Sequence, residues 1–179
     1  MKSAFAAILL ALAGGGLASP AAAQDAWHNH WSPGGVGSFD LPCDTDTLER
    51  MESEAGILAM CETDALLYGA ALVPLAVMAP DDATAEERAA YTFDELASEA
   101  AADENTIDFL AVEYGPYAGF YGAAAAPEPF QRSLMLDLGN GEIMILIALS
   151  DTATEADAEA AELRKLADRY LSSFKLTPQ

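Results

Sequence analysis

Hydrophobic and polar positions change their spacing several times along this chain, and each change predicts an element. The C-terminal stretch is the most regular. Ala156, Ala160, Leu163, Leu166 or Ala167, Tyr170 and Phe174 recur every three or four residues, the spacing of one helix face. Thr154 with Asp157 offers a start signal for this helix. Glu155, Asp157, Glu159 and Glu162 precede Arg164, Lys165 and Arg169, the order that a helix dipole favours. An earlier helix is expected from Thr84, where Thr84 and Glu87 make a capping box, to about Ala102. Its apolar stripe of Tyr91, Leu96 and Ala100 is thin, and Glu86, Glu87, Asp94, Glu95 and Glu99 suit solvent.

Strands are expected where the spacing shortens to two or the apolar run is continuous. Val36 to Leu41 is one such run, closed by Pro42. Gly56 to Cys61 and Ala65 to Met78 follow, with a turn near Asp64. Pro74 interrupts the second of these and predicts an edge position or a bend there. Ile107 to Tyr114 and Tyr117 to Ala126 flank the breakers Gly115-Pro116. Arg132 to Leu138 alternates, with Leu134, Leu136 and Leu138 on one face. Gly139-Asn140-Gly141 is a hairpin signal, since Asn-Gly suits a type I′ turn. The partner run Ile143 to Leu149 is apolar enough to be central in a sheet. The C-terminal helix then lies on that sheet.

Three stretches carry a resemblance. Gly37-Ser38-Phe39-Asp40-Leu41-Pro42 looks like an opening strand, Arg132 to Leu136 with Gly139 to Ile143 like a central hairpin, and Tyr170-Leu171-Ser172-Ser173-Phe174-Lys175-Leu176 like a closing signature. Together they resemble small exported bacterial proteins of the PsbP-like group. The resemblance spans most of residues 31–176 and implies a fold of the α/β (α+β) class. That fold is a single-domain α/β/α sandwich, mainly antiparallel, with a long C-terminal helix packed on the sheet. It implies no known catalytic set. The run Gly69 to Pro74 is less polar than this pattern, and the helices are richer in alanine.

Composition locates the protein. Met1-Lys2-Ser3, an apolar run from Ala4 to Ala13 and the A-x-A site at Ala21-Ala22-Ala23 predict a secretory signal peptide cleaved after Ala23. The expected organisation is a signal peptide over 1–23, an N-terminal segment over 24–31 and one domain over 32–179, in the periplasm or secreted. Asp and Glu number 29 against 8 Lys and Arg, a formal charge of -21 that becomes -22 once Lys2 is removed. So acidic a chain is repelled by nucleic acid and by anionic membrane surfaces, which argues against both as partners. No stable membrane insertion is expected after cleavage. Cys43 and Cys61 are the two cysteines of an exported chain, and one intramolecular disulfide is the pairing expected. Neither belongs to a C-x-x-C arrangement, so thiol exchange is not expected of them.

Candidate chemistry is sparse. Trp27-His28-Asn29-His30-Trp31 holds both histidines and both tryptophans. His28 and His30 are the candidate metal ligands, but a structural zinc needs four ligands and a catalytic one three. Carboxylates such as Asp25 or Asp40, or cysteines expected to be oxidised, would have to complete the set. The expectation is that both imidazoles face water and that Trp31 folds back on the domain. Asp44-x-Asp46 comes nearest to a calcium loop, yet Glu49 and Ala55 stand where an EF-hand needs Gly and Glu. Asp81-Asp82 suits a helix start, and Asp137, Asn140 and Glu142 surround a turn. Neither a G-x-S-x-G elbow nor a phosphate loop occurs in the sequence. The candidate binding surface is Tyr114, Tyr117, Phe120 and Tyr121 with Arg132. The alternatives are aromatics that cover the sheet beneath a helix, and an Arg132 paired with a carboxylate. These readings favour a non-enzymatic binding or assembly module of the cell envelope, with an envelope protein as partner and no cofactor. The alternatives are a carboxylate- or metal-dependent hydrolase and a weak periplasmic binder of cations or small ligands.

Overall fold

A computed structural model of the chain describes residues 26–53 and 55–177. The expected signal segment and its cleavage point after Ala23 lie outside the described residues. Strands β1 (His28–Trp31), β2 (Gly37–Leu41), β3 (Glu49–Ser53), β4 (Gly56–Glu62) and β5 (Leu67–Pro74) come first. Helices α1 (Ala85–Ala90) and α2 (Phe93–Ala102) follow, then β6 (Thr106–Tyr114), β7 (Tyr117–Ala124), β8 (Pro129–Asp137) and β9 (Glu142–Thr154). Helix α3 (Ala160–Ser172) and the short β10 (Lys175–Leu176) close the chain.

Seven strands make one sheet in the order β3-β4-β5-β9-β8-β7-β6, and β1-β2-β10 make a smaller one. All pairings are antiparallel. The apolar β9 is central, as expected, with β5 on one side and β8 on the other. Its neighbouring side chains go to opposite faces and both faces are buried. Met144, Leu146 and Ala148 join Phe39, Leu134, Leu136, Leu163, Ala167 and Tyr170 in one core beneath α3 and the small sheet. Ile143 joins Met135, Phe120, Phe93 and Leu96 in a second core beneath α2. The result is an α/β/α sandwich with a C-terminal helix packed on the sheet. Each fully buried leucine or isoleucine in these layers stabilises the fold by about 1.5–3 kcal/mol.

Local signals decide where the structure departs from expectation. The helix expected to run unbroken from Thr84 to Ala102 is two helices. Thr84 and Glu87 do form a capping box, but so do Thr92 and Glu95. The second box fixes Thr92 in an extended conformation (φ -114°, ψ 157°), which ends the first helix at Ala90. The C-terminal helix starts at Ala160 instead of near Thr154. Thr154 and Asp157 are bonded, the Thr154 N–H to Asp157 Oδ2 at 2.6 Å. That turn closes the end of β9, whose Thr154 still pairs with Pro129. Pro74 marks a bend, since β5 is internal and gives way at Leu75 to a short 3-10 turn. In the β8–β9 hairpin the positive φ values fall on Gly139 and Gly141 and not on Asn140. A two-residue type I′ turn is therefore replaced by a three-residue loop, held by the Leu138 N–H on the Glu142 carbonyl at 3.1 Å.

Candidate functional site

The β6–β7 hairpin holds most of the expected aromatic surface, and its register shows where each side chain goes. Leu110 lies opposite Tyr121, Val112 opposite Gly119 and Tyr114 opposite Tyr117. Directly opposed residues share a face, so these six line one side of the hairpin. Ala111 and Phe120 are opposed on the other side. Phe120 is buried there against Phe93 and Phe109, with ring centroids 5.6 and 5.2 Å away. The sheet thus divides the expected set: Tyr114, Tyr117 and Tyr121 on one face, Phe120 on the other.

The tyrosine face is the one on which α3 packs, but α3 lies over β2, β8 and β9. The outer part of the hairpin is left partly open, and Leu110 is 60% exposed. Beside it the hydroxyls of Tyr114 and Tyr121 are hydrogen-bonded at 2.8 Å. Tyr114 also meets the edge of Phe174, 5.8 Å between centroids. Burial, the bond with Tyr114 and the negative charge of Asp168 push the Tyr121 pKa above its ordinary value. The Tyr121 hydroxyl therefore stays a neutral donor and acceptor at physiological pH.

Arg132 lies at one end of this face and pairs with carboxylates. Its guanidinium meets Asp108 at 2.9 Å, Glu155 at 3.1 Å and Asp168 at 3.5 Å. Glu155 also accepts from Arg164 Nε at 2.6 Å. Its side chain is only 6% exposed, so two guanidiniums neutralise a nearly buried carboxylate. The strand irregularity between Ile107 and Leu110, with Asp108 at φ 53°, turns Asp108 toward Arg132. The cluster ties β6, β8, the end of β9 and α3 together and leaves Arg132 committed to its carboxylates.

The histidines separate. His30 is buried, stacked on Phe39 at 6.4 Å, with Nε2 2.7 Å from the Cys43 carbonyl oxygen. A carbonyl only accepts, so Nε2 carries the proton. The expectation that both imidazoles face water holds for His28 alone. Trp31 does not fold back; it is 61% exposed. Trp27 packs instead, edge-on to Tyr68 at 5.8 Å and beneath the Arg169 guanidinium at 4.2 Å. β1 pairs with β2 because the alternation of this stretch directs His30 inward against Phe39.

Cys43 and Cys61 form the expected disulfide, with a sequence separation of 18, tying the segment after β2 to β4. Among the described residues no group of three or more His, Cys, Asp or Glu side chains is placed to hold a metal ion. Asp40 instead accepts from Asn29 at 2.9 Å. Asp44 builds a turn, its Oδ1 accepting from Asp46 N, Thr47 N and Thr47 Oγ1. The Thr47 hydroxyl is the main cause of its lowered pKa. Asp137 and Asn140 bond within their hairpin, to Gly139 N and Glu142. Among the described residues no helix is long and apolar enough to cross a membrane.

Leu110, Asp108, Glu155 and Asp168 did not stand out in the sequence. Leu110 sits in an ordinary apolar run, and its exposure follows from β6 being the last strand of the sheet. The scarcity of basic residues was the one signal that Arg132 would gather carboxylates. No protein-family model matches the chain, and no curated protein matches it.

Proposed function

We propose that the protein is a non-enzymatic, exported binding or assembly module of the cell envelope, and that the open side of β6 and β7 is its contact surface. The observation that carries this reading is Leu110, 60% exposed beside the Tyr114–Tyr121 pair at the edge of a sheet whose central strands are buried on both faces. An apolar side chain held out by a rigid sheet next to tyrosines matches the composition of protein contact surfaces. The basic and apolar start of the sequence supports export. The Cys43–Cys61 disulfide supports an oxidising compartment. The PsbP-like resemblance is supported at the level of fold, since its three stretches form β2, the β8–β9 hairpin and the passage from α3 to β10.

The test is affinity capture of the tagged protein from native envelope, in parallel with a Leu110→Lys variant. Recovery of a defined partner by the parent protein, and its loss from the variant, is the expected result. Reproducible recovery of nothing by the parent protein sinks the reading.

A further inference from the structure

We infer that the partner binds by adding a strand along the free edge of β6, and that the added segment alternates apolar and basic side chains. This rests on the binding-module reading and gives it a site and a partner chemistry.

Edge strands present unpaired N–H and C=O groups, and proteins normally blunt them with charge, brevity or irregularity. The large sheet ends in β3 and β6. β3 reads Glu49-Arg50-Met51-Glu52-Ser53, charged at three of its five positions. The edges of the small sheet are short, four residues in β1 and two in β10. β6 has nine residues. Its irregularity is confined to Ile107–Leu110, and from Leu110 to Tyr114 the register with β7 is unbroken. That regular half reads Leu110-Ala111-Val112-Glu113-Tyr114, with one charge. Among the described residues no strand lies beyond it. Five regular positions match the length of an ordinary strand.

The faces specify the partner. A strand added about 4.8 Å from β6 sends alternate side chains to opposite faces. Those level with Leu110, Val112 and Tyr114 meet an apolar and aromatic surface. Those on the other face meet exposed Ala111 and Glu113. The cluster at the end of this face sets three carboxylates, Asp108, Glu155 and Asp168, against the two guanidiniums of Arg132 and Arg164, so it too carries a net negative charge. The whole chain carries 29 acids against 8 Lys and Arg. A second copy, or any acidic segment, meets like charge; a segment with lysine or arginine at alternate positions meets opposite charge.

The probe is a short, end-capped peptide of alternating valine and lysine, titrated into the isotope-labelled mature protein. Its controls are the valine–glutamate analogue and a proline-interrupted form, which cannot complete a ladder. Saturable binding is expected, with amide shifts concentrated at Leu110–Tyr114. Leu110→Lys and Glu113→Lys, both at exposed positions, should each weaken it about tenfold or more. Unchanged melting of both variants shows that they fold. Equal binding of either control, shifts centred on β1 or β3, or indifference to both variants overturns strand addition. So does self-association of the protein through the same amides without peptide. The peptide experiment needs no envelope, so its failure leaves the module reading to capture. An empty capture beside β6-specific peptide binding removes the envelope module and keeps the edge.

Discussion

The hydroxyl of Tyr170 in α3 donates to the carbonyl of Gly69 in β5 at 2.6 Å, across 101 positions of sequence. The Tyr170 ring is fully buried edge-on to Phe39 at 5.8 Å and to Tyr68 at 5.3 Å. One side chain therefore joins the helix, the large sheet and the small sheet. Tyr170→Phe keeps the ring and removes the bond, and should lower the unfolding free energy by about 1 kcal/mol. Tyr170→Ala also leaves a cavity and should cost about 3–5 kcal/mol. Urea unfolding at neutral pH measures both; equal losses in the two variants would show that the ring contributes nothing beyond its hydrogen bond.

The disulfide and His30 act on the same corner. Cys43 is bridged to Cys61, and its carbonyl receives the His30 Nε2 proton that holds β1 down. Removing the bridge as Cys43→Ala/Cys61→Ala should cost about 3 kcal/mol, from restored freedom of the unfolded loop. The local consequence is specific. Amide exchange in β1 and β2 should accelerate more than in β8 and β9, which are also held by the second core around Met135 and Ile143 on the far face of the sheet. Uniform acceleration across both sheets would contradict this.

Two ion pairs should differ widely in worth, and the shorter is the weaker. Lys165 and Glu162 are 2.6 Å apart but 70% and 74% exposed, so Lys165→Ala should change stability by at most about 0.5 kcal/mol. Glu155 is 6% exposed, and its partner Arg132 is 16% exposed. Glu155→Ala leaves that guanidinium with only the exposed Asp108 and Asp168, and should cost about 3 kcal/mol. Thermal unfolding of the two single variants decides the contrast.

The fold was legible where one signal dominated. The alternation of Leu134, Leu136 and Leu138 named a strand, and the continuous apolar run in β9 named both a strand and its central place. The cysteines left one pairing. Elements were lost where two local signals competed. Thr92 and Glu95 repeat the pattern of Thr84 and Glu87 inside what reads as one helix, and the second cap wins because it satisfies its own first turn. β3 is too polar to announce itself, because an edge strand is held by its backbone and not by a buried face. The candidate site was half legible. Aromatic content marked the β6–β7 hairpin, but the division between Tyr121 and Phe120 needs the register. The exposure of Leu110 needs the strand order, which is a property of the whole sheet.

Acid should act on the helix starts. The Thr84 and Thr92 groups that bond Glu87 and Glu95 lower both carboxyl pKa values from 4.5. A lowered folded pKa contributes stability above the unfolded value and loses it as pH falls through the folded one. The fall should therefore begin near pH 4.5 and run below it. Acidification also relieves the repulsion of a chain at -21, an effect of opposite sign. A comparison of Glu95→Gln with the parent separates the two, because glutamine keeps the capping geometry but does not titrate. The variant should lose less stability than the parent below pH 4.5, read from melting temperatures across the acid range.

Alkali should act on the buried tyrosines, with the reverse logic. Burial pushes the Tyr68 hydroxyl up from 10.0 to about 12 and raises Tyr170 well above its ordinary value. Below pH 10 both states keep these protons, and the stability of the fold is fully present. Above it the unfolded chain releases protons that the folded chain retains, so stability falls as pH rises toward the folded values. Each such tyrosine contributes a slope of about 1.4 kcal/mol per pH unit in that window. Tyr68→Phe removes one titrating group from beneath Trp27 while keeping its ring. Between pH 10 and pH 12 its stability should decline less steeply than the parent's, by about one proton's worth. Urea unfolding at a series of pH values measures the slope, and the tyrosinate absorbance band follows the same groups. Parallel slopes for variant and parent would mean that Tyr68 ionises in the folded protein as readily as in the unfolded chain.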